Sequence, residues 1–297
     1  MERIKLYNED NLELMKRLPD ESIDVICIDP PYLYLKNQKL ERPFDEHIFF
    51  SECRRLLTKN GFIVMFGRGE SFYRWNTILS ELKFTFKEEI IWDKRYTSSP
   101  VMNLSRVHET ISLFSKEKGV INLSKIPYIE QKLDFTSIHQ DLKRIKSGLN
   151  NPKSLSELLQ YVEDGSVNYF EVNKSNYTAT LQSSIKAKDR AVKTLESITE
   201  GLREKSIVSL GREHYSTIHP TQKPVRLLER LLALVIPESK PRDEIVVADF
   251  FAGSMSCMEA VHNMGMKGIA CEIDQEYFEK GKERIEKLKP LQSELFR

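Results

Sequence analysis

The sequence predicts an α/β fold: a doubly wound, mostly parallel sheet that carries a largely helical polar insertion. Three observations carry that expectation. Ile23–Ile28, residues 62–66 and residues 245–248 are short, continuous apolar runs, the pattern of strands buried on both faces. Such runs alternate with amphipathic helical stretches at both ends of the chain, the rhythm of strand–helix–strand units. Between them, residues 116–205 are rich in Lys, Ser, Asn and Glu, hold 15 basic against 12 acidic side chains, and give few strong strand signals.

Residues 4–7 read as a short strand, and Asp10 then sits where it caps a helix over 11–18. Pro19-Asp20-Glu21-Ser22 turns the chain into Ile23–Ile28. A helix is predicted over 44–57, closed by Lys59-Asn60-Gly61, and strand 62–66 follows. Strands 86–92 and 108–114 come next, as a hairpin at one edge of the sheet. Core periodicity returns at Pro224, in the first-turn position of a helix with Val225, Leu228, Leu232 and Val235 on one face. Strand 245–248, a helix through Val261, strand 268–271 and a closing helix over 275–288 complete the pattern. The expected division is 1–118, then an insertion over 119–212, then 213–297.

A length of 297 residues suits one large domain with an insertion. The formal charge of +1 gives no global field for a polyanion, so any such contact has to be a local patch. Cys27, Cys53, Cys257 and Cys271 are scattered, with no CxxC pair and no His at zinc-ligand spacing. They read as reduced packing residues of a cytoplasmic protein. The start of the chain lacks the apolar stretch of a signal peptide. The most apolar helix, residues 227–236, is too short to span a membrane and carries Glu229 and Arg230. No membrane partner is expected.

Asp29-Pro30-Pro31-Tyr32 follows strand Ile23–Ile28 directly. The strand delivers it to the carboxyl edge of the sheet, where open α/β folds bind ligands. The prolines lack N–H groups, so the turn offers acceptors: the Asp29 carboxylate and nearby carbonyls. Tyr32 adds a flat π surface. The set suits a planar group that donates through an –NH2, such as the exocyclic amine of a nucleobase. The plainer alternative is a Pro-rich turn with Asp29 exposed and Tyr32 packed.

Two further constellations follow. Asp249-Phe250-Phe251-Ala252-Gly253-Ser254-Met255-Ser256 joins a strand to a helix, and its small residues at 252–254 let a ligand approach the backbone N–H groups there. About twenty residues on, Glu272 ends the next strand, where an acidic side chain accepts both ribose hydroxyls of a nucleoside. G-x-G-x-x-G is absent, which counts against a dinucleotide oxidoreductase. His219-Pro220-Thr221-Gln222-Lys223-Pro224 feeds into the next helix, with Lys223 and the Thr221 hydroxyl placed to meet a carboxylate or a ribose.

In this order, Asp-Pro-Pro-Tyr, His-Pro-Thr-Gln-Lys-Pro and Asp-Phe-Phe-Ala-Gly-Ser, the chain resembles the S-adenosylmethionine-dependent amino-methyltransferases of DNA. The catalytic motif precedes the cofactor motif, as in the circularly permuted β class. Ile91-Trp92-Asp93-Lys94 and His108-Glu109-Thr110 are softer matches. The resemblance implies a Rossmann-like methyltransferase fold, S-adenosylmethionine as cofactor, no metal, and double-stranded DNA as partner. It implies catalytic roles for Asp29, Pro30, Pro31 and Tyr32. It implies cofactor contacts for Asp10 (at the adenine ring), Asp29, Thr221, Lys223, Phe251, Ala252, Gly253, Ser254, Ser256 and Glu272. Family usage places Asp in the first catalytic position for adenine N6 and typically Ser for cytosine N4, so a flipped-out adenine is the expected target.

By the same analogy the insertion is the target recognition domain. Arg95, Arg106, Lys143, Arg144, Lys146, Lys186, Lys188 and Arg190 form the pool of phosphate contacts. A homodimer and a companion restriction endonuclease are compatible with this reading. One departure is plain: Met255 stands where the family usually has a second glycine. Tolerance is expected, the alternative being a DNA-binding protein with a decayed methyltransferase site. Cytosine-N4 methylation, methylation of RNA or of a protein amide, and a nucleotide-dependent oxidoreductase are the remaining readings.

Overall fold

A computed structural model of the chain describes residues 3–32, 42–96, 103–173, 184–211, 218 and 222–289. The first part of the chain forms β1 (Ile4–Tyr7), α1 (Asn11–Arg17), β2 (Ile23–Ile28), α2 (Glu46–Leu56), β3 (Leu57–Gly67), α3 (Gly69–Glu81), β4 (Thr85–Asp93) and β5 (His108–Ser115). A separate compact unit, Lys125–Glu204, holds β6 (Lys125–Ile126), α4 (Tyr128–Gln131), α5 (Phe135–Leu149), α6 (Pro152–Asp164), β7 (Phe170–Asn173), β8 (Ser184–Ala187), α7 (Arg190–Glu200) and β9 (Leu202–Arg203). The chain then returns to the first unit with β10 (Ile207–Ser209), α8 (Val225–Val235), β11 (Val246–Asp249), α9 (Ser256–Asn263), β12 (Lys267–Cys271) and α10 (Gln275–Glu286).

Among the described residues the main sheet runs β1-β12-β11-β2-β3-β5-β4-β10. The interleaving of β11 and β12 with β1 and β2 shows one sheet built from both ends of the chain. All pairings are parallel except those of β5, which runs against both β3 and β4. Every residue of β2 is buried, because helices cover both faces of a parallel sheet. β3 distributes its side chains with period two: Phe62, Val64 and Phe66 enter one core with α8 and α9, Ile63 and Met65 the other with Phe49, Phe50 and Trp75. Asp24 is the polar exception within β2. Its carboxylate accepts the Lys240 ammonium at 2.7 Å and the Val246 N–H at 2.9 Å, tying β2 to the start of β11.

The Lys125–Glu204 unit has its own small core, in which Leu158 of α6 packs with Ala191 and Val192 of α7. α5 and α6 are capped by Asp134 and Asn151, and α6 begins with Pro152 and ends at Gly165 in the left-handed region. Two short antiparallel pairs, β6 with β9 and β7 with β8, complete it.

Four sequence expectations change. Lys59-Asn60-Gly61, expected to close the helix before it, lies inside β3. α3 was not anticipated; its Phe72, Trp75, Ile78 and Leu79 are buried at helical spacing. The β4–β5 hairpin does not form the sheet edge, since β10 pairs beyond β4 in parallel. β10 lies within the span expected for the insertion, and residues 119–124 and 205–212 also fall outside the Lys125–Glu204 unit. Among the described residues no helix is long and apolar enough to cross a membrane.

Met255 caps α9 in the left-handed region, φ 59° and ψ 21°, where glycine is the favoured residue. Its side chain is 0 % exposed and turns into the core against α10. A Cβ on Gly281 of that helix would stand 2.4 Å from Met255 Cγ. Gly281→Leu is therefore expected to lower stability in urea unfolding by about 1–3 kcal/mol through overpacking. Adding Met255→Ala should recover part of that loss, with a coupling of at least ~0.5 kcal/mol. Strict additivity of the two changes would show that they do not share space.

Candidate active site

Strand direction brings the predicted motifs together. β2 pairs in parallel with β11 (Val25 beside Val247), and β11 with β12 (Asp249 beside Ala270). All three strands end at one edge, where the chain places Asp29, Asp249 and Glu272. β5 runs antiparallel to β4, with Trp92 opposite Glu109, so the end of β4 and the start of β5 reach the same edge.

Lys223 lies buried just before α8 and puts its ammonium on Asp29 Oδ2. The same Nζ stands 3.3 Å from Glu109 Oε2 and 4.9 Å from the centre of the Phe66 ring. Glu109 Oε1 in turn accepts the buried Lys94 ammonium. Lys94, Glu109, Lys223 and Asp29 thus form a row of alternating charge. The Tyr32 hydroxyl donates to Asp29 Oδ1 at 2.6 Å, and the Tyr32 carbonyl accepts the Ser71 hydroxyl at 2.6 Å. Its ring centre lies 6.2 Å from that of Trp75.

Burial alone would raise the Glu109 carboxyl, but the ammonium groups of Lys223 and Lys94 overrule it and hold it at about 2. Burial likewise works against the charge on Lys223, and the Asp29 and Glu109 carboxylates keep that ammonium above its ordinary range. Asp29 lies above the usual carboxylate range, because burial, aided by the Glu109 charge, outweighs the pull of Lys223.

The other half of the site is the turn after β11. Asp249 accepts the Phe251 N–H at 3.0 Å, the Ala252 N–H bonds to the Cys271 carbonyl at 3.0 Å, and the Gly253 N–H donates to Glu272 Oε2 at 2.8 Å. Glu272 Oε1 accepts the Asp274 N–H at 2.8 Å, so each oxygen keeps a second lone pair for a hydroxyl donor. Ser254 and Ser256 are buried and meet each other at 2.9 Å, with Arg284 donating to the Ser256 hydroxyl at 3.1 Å. Asp10 is exposed and caps α1 through Oδ1, beyond the strand whose Tyr7 carbonyl accepts the Glu272 N–H.

The structure therefore gathers Asp29, Tyr32, Lys223, Gly253 and Glu272 at one edge, with Pro30 and Pro31 in the turn. It engages the Ser254 and Ser256 side chains inward. Lys223 meets the Asp29 carboxylate. Thr221 lies outside the described residues. Of the basic pool, Arg144 pairs with Asp141, Lys188 with Glu196, and Arg95 with the Ser209 hydroxyl and carbonyl. Lys143 and Lys146 stand exposed on α5. The side chain of Lys186 lies outside the described residues.

A family model described as DNA methylase matches residues 23–283. The chain belongs to the DNA methylase family. It is 26% identical over 308 aligned residues to the type II methyltransferase M.HinfI of Haemophilus influenzae, covering 95% of this chain and 68% of that one. It is 25% identical over 290 to the DNA adenine methyltransferase YhdJ of Escherichia coli, covering 95% and 82%. Among solved structures, the S-adenosylmethionine complex of M1.HpyAVI shares its fold at TM-score 0.54 and 18% identity, over 95% of this chain and 99% of that one. The cytosine-N4-specific PvuII DNA methyltransferase does so at 0.59 and 15%, over 98% and 88%. The methylase uses S-adenosylmethionine, as its family does, and DNA is its substrate.

Glu109 and Lys94 of this methylase stand in the softer sequence matches, which imply no role for them. The available signal was their position: a cation at the end of one apolar strand and an anion at the start of the next, poised to meet across the hairpin. Asp249, also given no role, is buried at the end of β11. Burial, reinforced by the Asp29 and Glu272 charges, pushes its carboxyl up to about 7. Between about pH 4 and 7 the unfolded chain has released this proton while the folded chain keeps it, so stability falls as pH rises across that window. Asp249→Asn removes the titration. The variant should gain roughly 2–4 kcal/mol relative to the parent at pH 8 compared with pH 4. Urea unfolding at the two pH values measures this, and an unchanged difference refutes the role of Asp249.

Proposed function

We propose that the enzyme methylates the N6 amine of an adenine flipped out of duplex DNA, with Asp29 as the acceptor that holds the amine. The carrying observation is the half-buried Asp29 carboxylate at the sheet edge, followed by two prolines without N–H groups and held between Tyr32 and Lys223. An aromatic amine is a poor nucleophile because its lone pair is delocalised into the ring. Acceptance of its two N–H bonds by the Asp29 carboxylate and the Pro30 carbonyl favours a pyramidal nitrogen with a localised lone pair. The work left to the protein is positioning and matched acceptors. Since Asp29 sits above the usual carboxylate range, it is suited to take up the proton that the methylated amine releases.

S-adenosylmethionine, when bound, supplies a methyl group already activated by its sulfonium charge. The edge fits such a cation. Asp29, Asp249 and Glu272 crowd it with carboxyl groups, and the upward push on Asp249 is aided by the neighbouring negative charges. Ala252 and Gly253 offer no bulk, and Met255 points into the core, which speaks against a decayed site. The Glu272 lone pairs suit ribose hydroxyls, and Asp10 retains Oδ2 for the adenine amine. The flipped base costs a few kcal/mol, offset by stacking, for which Tyr32 is the candidate, and by phosphate contacts.

Adenine is favoured by the Asp29 position within the motif and by the likeness to a chain named an adenine methyltransferase. The Lys125–Glu204 unit is the candidate reader of target sequence, with Lys143 and Lys146 as phosphate contacts on α5.

Asp29→Asn should lower methyl transfer to duplex DNA at least a hundredfold while cofactor affinity by calorimetry stays within a few-fold. Mass spectrometry of digested DNA should show N6-methyladenine. N4-methylcytosine would move the assignment to cytosine, and near-normal transfer by Asp29→Asn would end the Asp29 role. Replacing Lys143 and Lys146 together by Ala should weaken binding to all duplexes alike and reduce the salt slope by up to ~2. An unchanged slope excludes them as phosphate contacts.

A further inference from the structure

Both oxygens of Asp29 are already occupied: Oδ1 by the Tyr32 hydroxyl and Oδ2 by the Lys223 ammonium. Each oxygen keeps a second lone pair, but the ammonium on Oδ2 draws the charge of the carboxylate to itself, so a target amine meets a full-strength acceptor only when Lys223 withdraws. The Tyr32 contact can stay, since its hydroxyl is neutral, whereas the carboxylate–ammonium contact joins two charges and is the stronger of the two. Left without another partner, a buried ammonium would oppose its own displacement.

The structure supplies that partner. Among the described residues Glu109 Oε2 is buried and accepts no well-aligned hydrogen bond, yet it stands 3.3 Å from the same Nζ. A buried carboxylate oxygen whose neighbouring donor is turned toward another carboxylate is a costly arrangement in a finished structure. Its neighbour Oε1 is fixed by the Lys94 ammonium, which in turn lies 5.3 Å from the centre of the Trp92 ring, so the carboxylate cannot swing to satisfy itself elsewhere. A small movement of Nζ would complete a hydrogen bond to Oε2 while releasing Asp29 Oδ2. Phe66 lies under the ammonium as an apolar face over which it can move.

We infer that Glu109 is a positioning residue which receives the Lys223 ammonium from Asp29 when the target amine arrives, Lys94 holding Glu109 in place for the exchange. In the resting enzyme Lys223 holds Asp29 Oδ2 and keeps the carboxylate in its working position. In the loaded enzyme the amine has that oxygen without the ammonium, and Glu109 Oε2 gains an aligned donor. This exchange of hydrogen-bond partners needs no net proton transfer, and it rests on the reading of Asp29 as the amine acceptor.

The test compares wild type, Glu109→Gln and the double variant Glu109→Gln/Lys223→Met in single-turnover methylation of duplex DNA at saturating DNA and cofactor, with both affinities measured separately. Glu109→Gln should slow the reaction tenfold or more while its affinities for DNA and cofactor remain within about threefold. In the double variant no ammonium draws on the Asp29 carboxylate, so the rate should rise at least about threefold above that of Glu109→Gln. A Glu109→Gln rate near that of wild type overturns the exchange, as does a double variant no faster than Glu109→Gln. Should Glu109→Gln fail to fold, a structure of the wild-type enzyme with duplex and cofactor decides. Lys223 Nζ bonded to Glu109 Oε2 and away from Asp29 supports the exchange, and Lys223 still on Asp29 beside an engaged amine refutes it. Absence of methylation by the wild type would strike at the proposed function instead, which separates the two failures.

Discussion

Carboxyl groups crowd one edge of this sheet, and one buried ammonium keeps them there. Parallel pairing obliges β2, β11 and β12 to end on the same side, so Asp29, Asp249 and Glu272 arrive close together. The reversed strand β5 adds Glu109. Low-dielectric surroundings penalise each unpaired charge, and removing one partner of such a buried pair typically costs about 3–5 kcal/mol. Lys223 answers two of these carboxylates at once, and Lys94 steadies the second. Among the described residues no ammonium bonds to Asp249, and burial pushes its carboxyl up to about 7.

That same ammonium closes the chain on itself. Lys223 reaches Asp29 across 194 positions, joining the segment before α8 to the end of β2. α8 begins one residue after Pro224 and packs Leu227, Leu228 and Leu231 against the sheet face that also buries Val64 and Trp92. The rigid lead-in, the buried helix and the ion pair therefore constrain one another. A sheet assembled from both ends of the chain is thus tied at the edge where those ends meet.

The turn after β11 meets a second constraint in an unusual way. Its left-handed residue is Met255. The conformation costs roughly 1–2 kcal/mol for a residue with a Cβ, while complete burial of a methionine side chain is worth about 1.5–3 kcal/mol. Burial wins because α10 carries Gly281 opposite, leaving room for the side chain. The bulk that departs from the family pattern is absorbed by the core behind the loop and does not stand over the turn.

Much of this molecule was readable in one dimension. The continuous apolar runs at 23–28 and 245–248 announced parallel strands, because a strand covered on both faces tolerates few polar residues, and the three motifs named the family through local chemistry. Helix α3 does carry a readable period in Phe72, Trp75, Ile78 and Leu79, whereas β10 escapes notice because a three-residue strand carries little pattern. By itself, then, the sequence determined which side chains would stand at the ends of the strands. Only the tertiary structure decided whom they meet. Lys223 faces Asp29 and Glu109, Met255 turns toward Gly281, and Gly253 donates to Glu272, because these partners are set by strand order, register and the need to pair buried charge across distant segments.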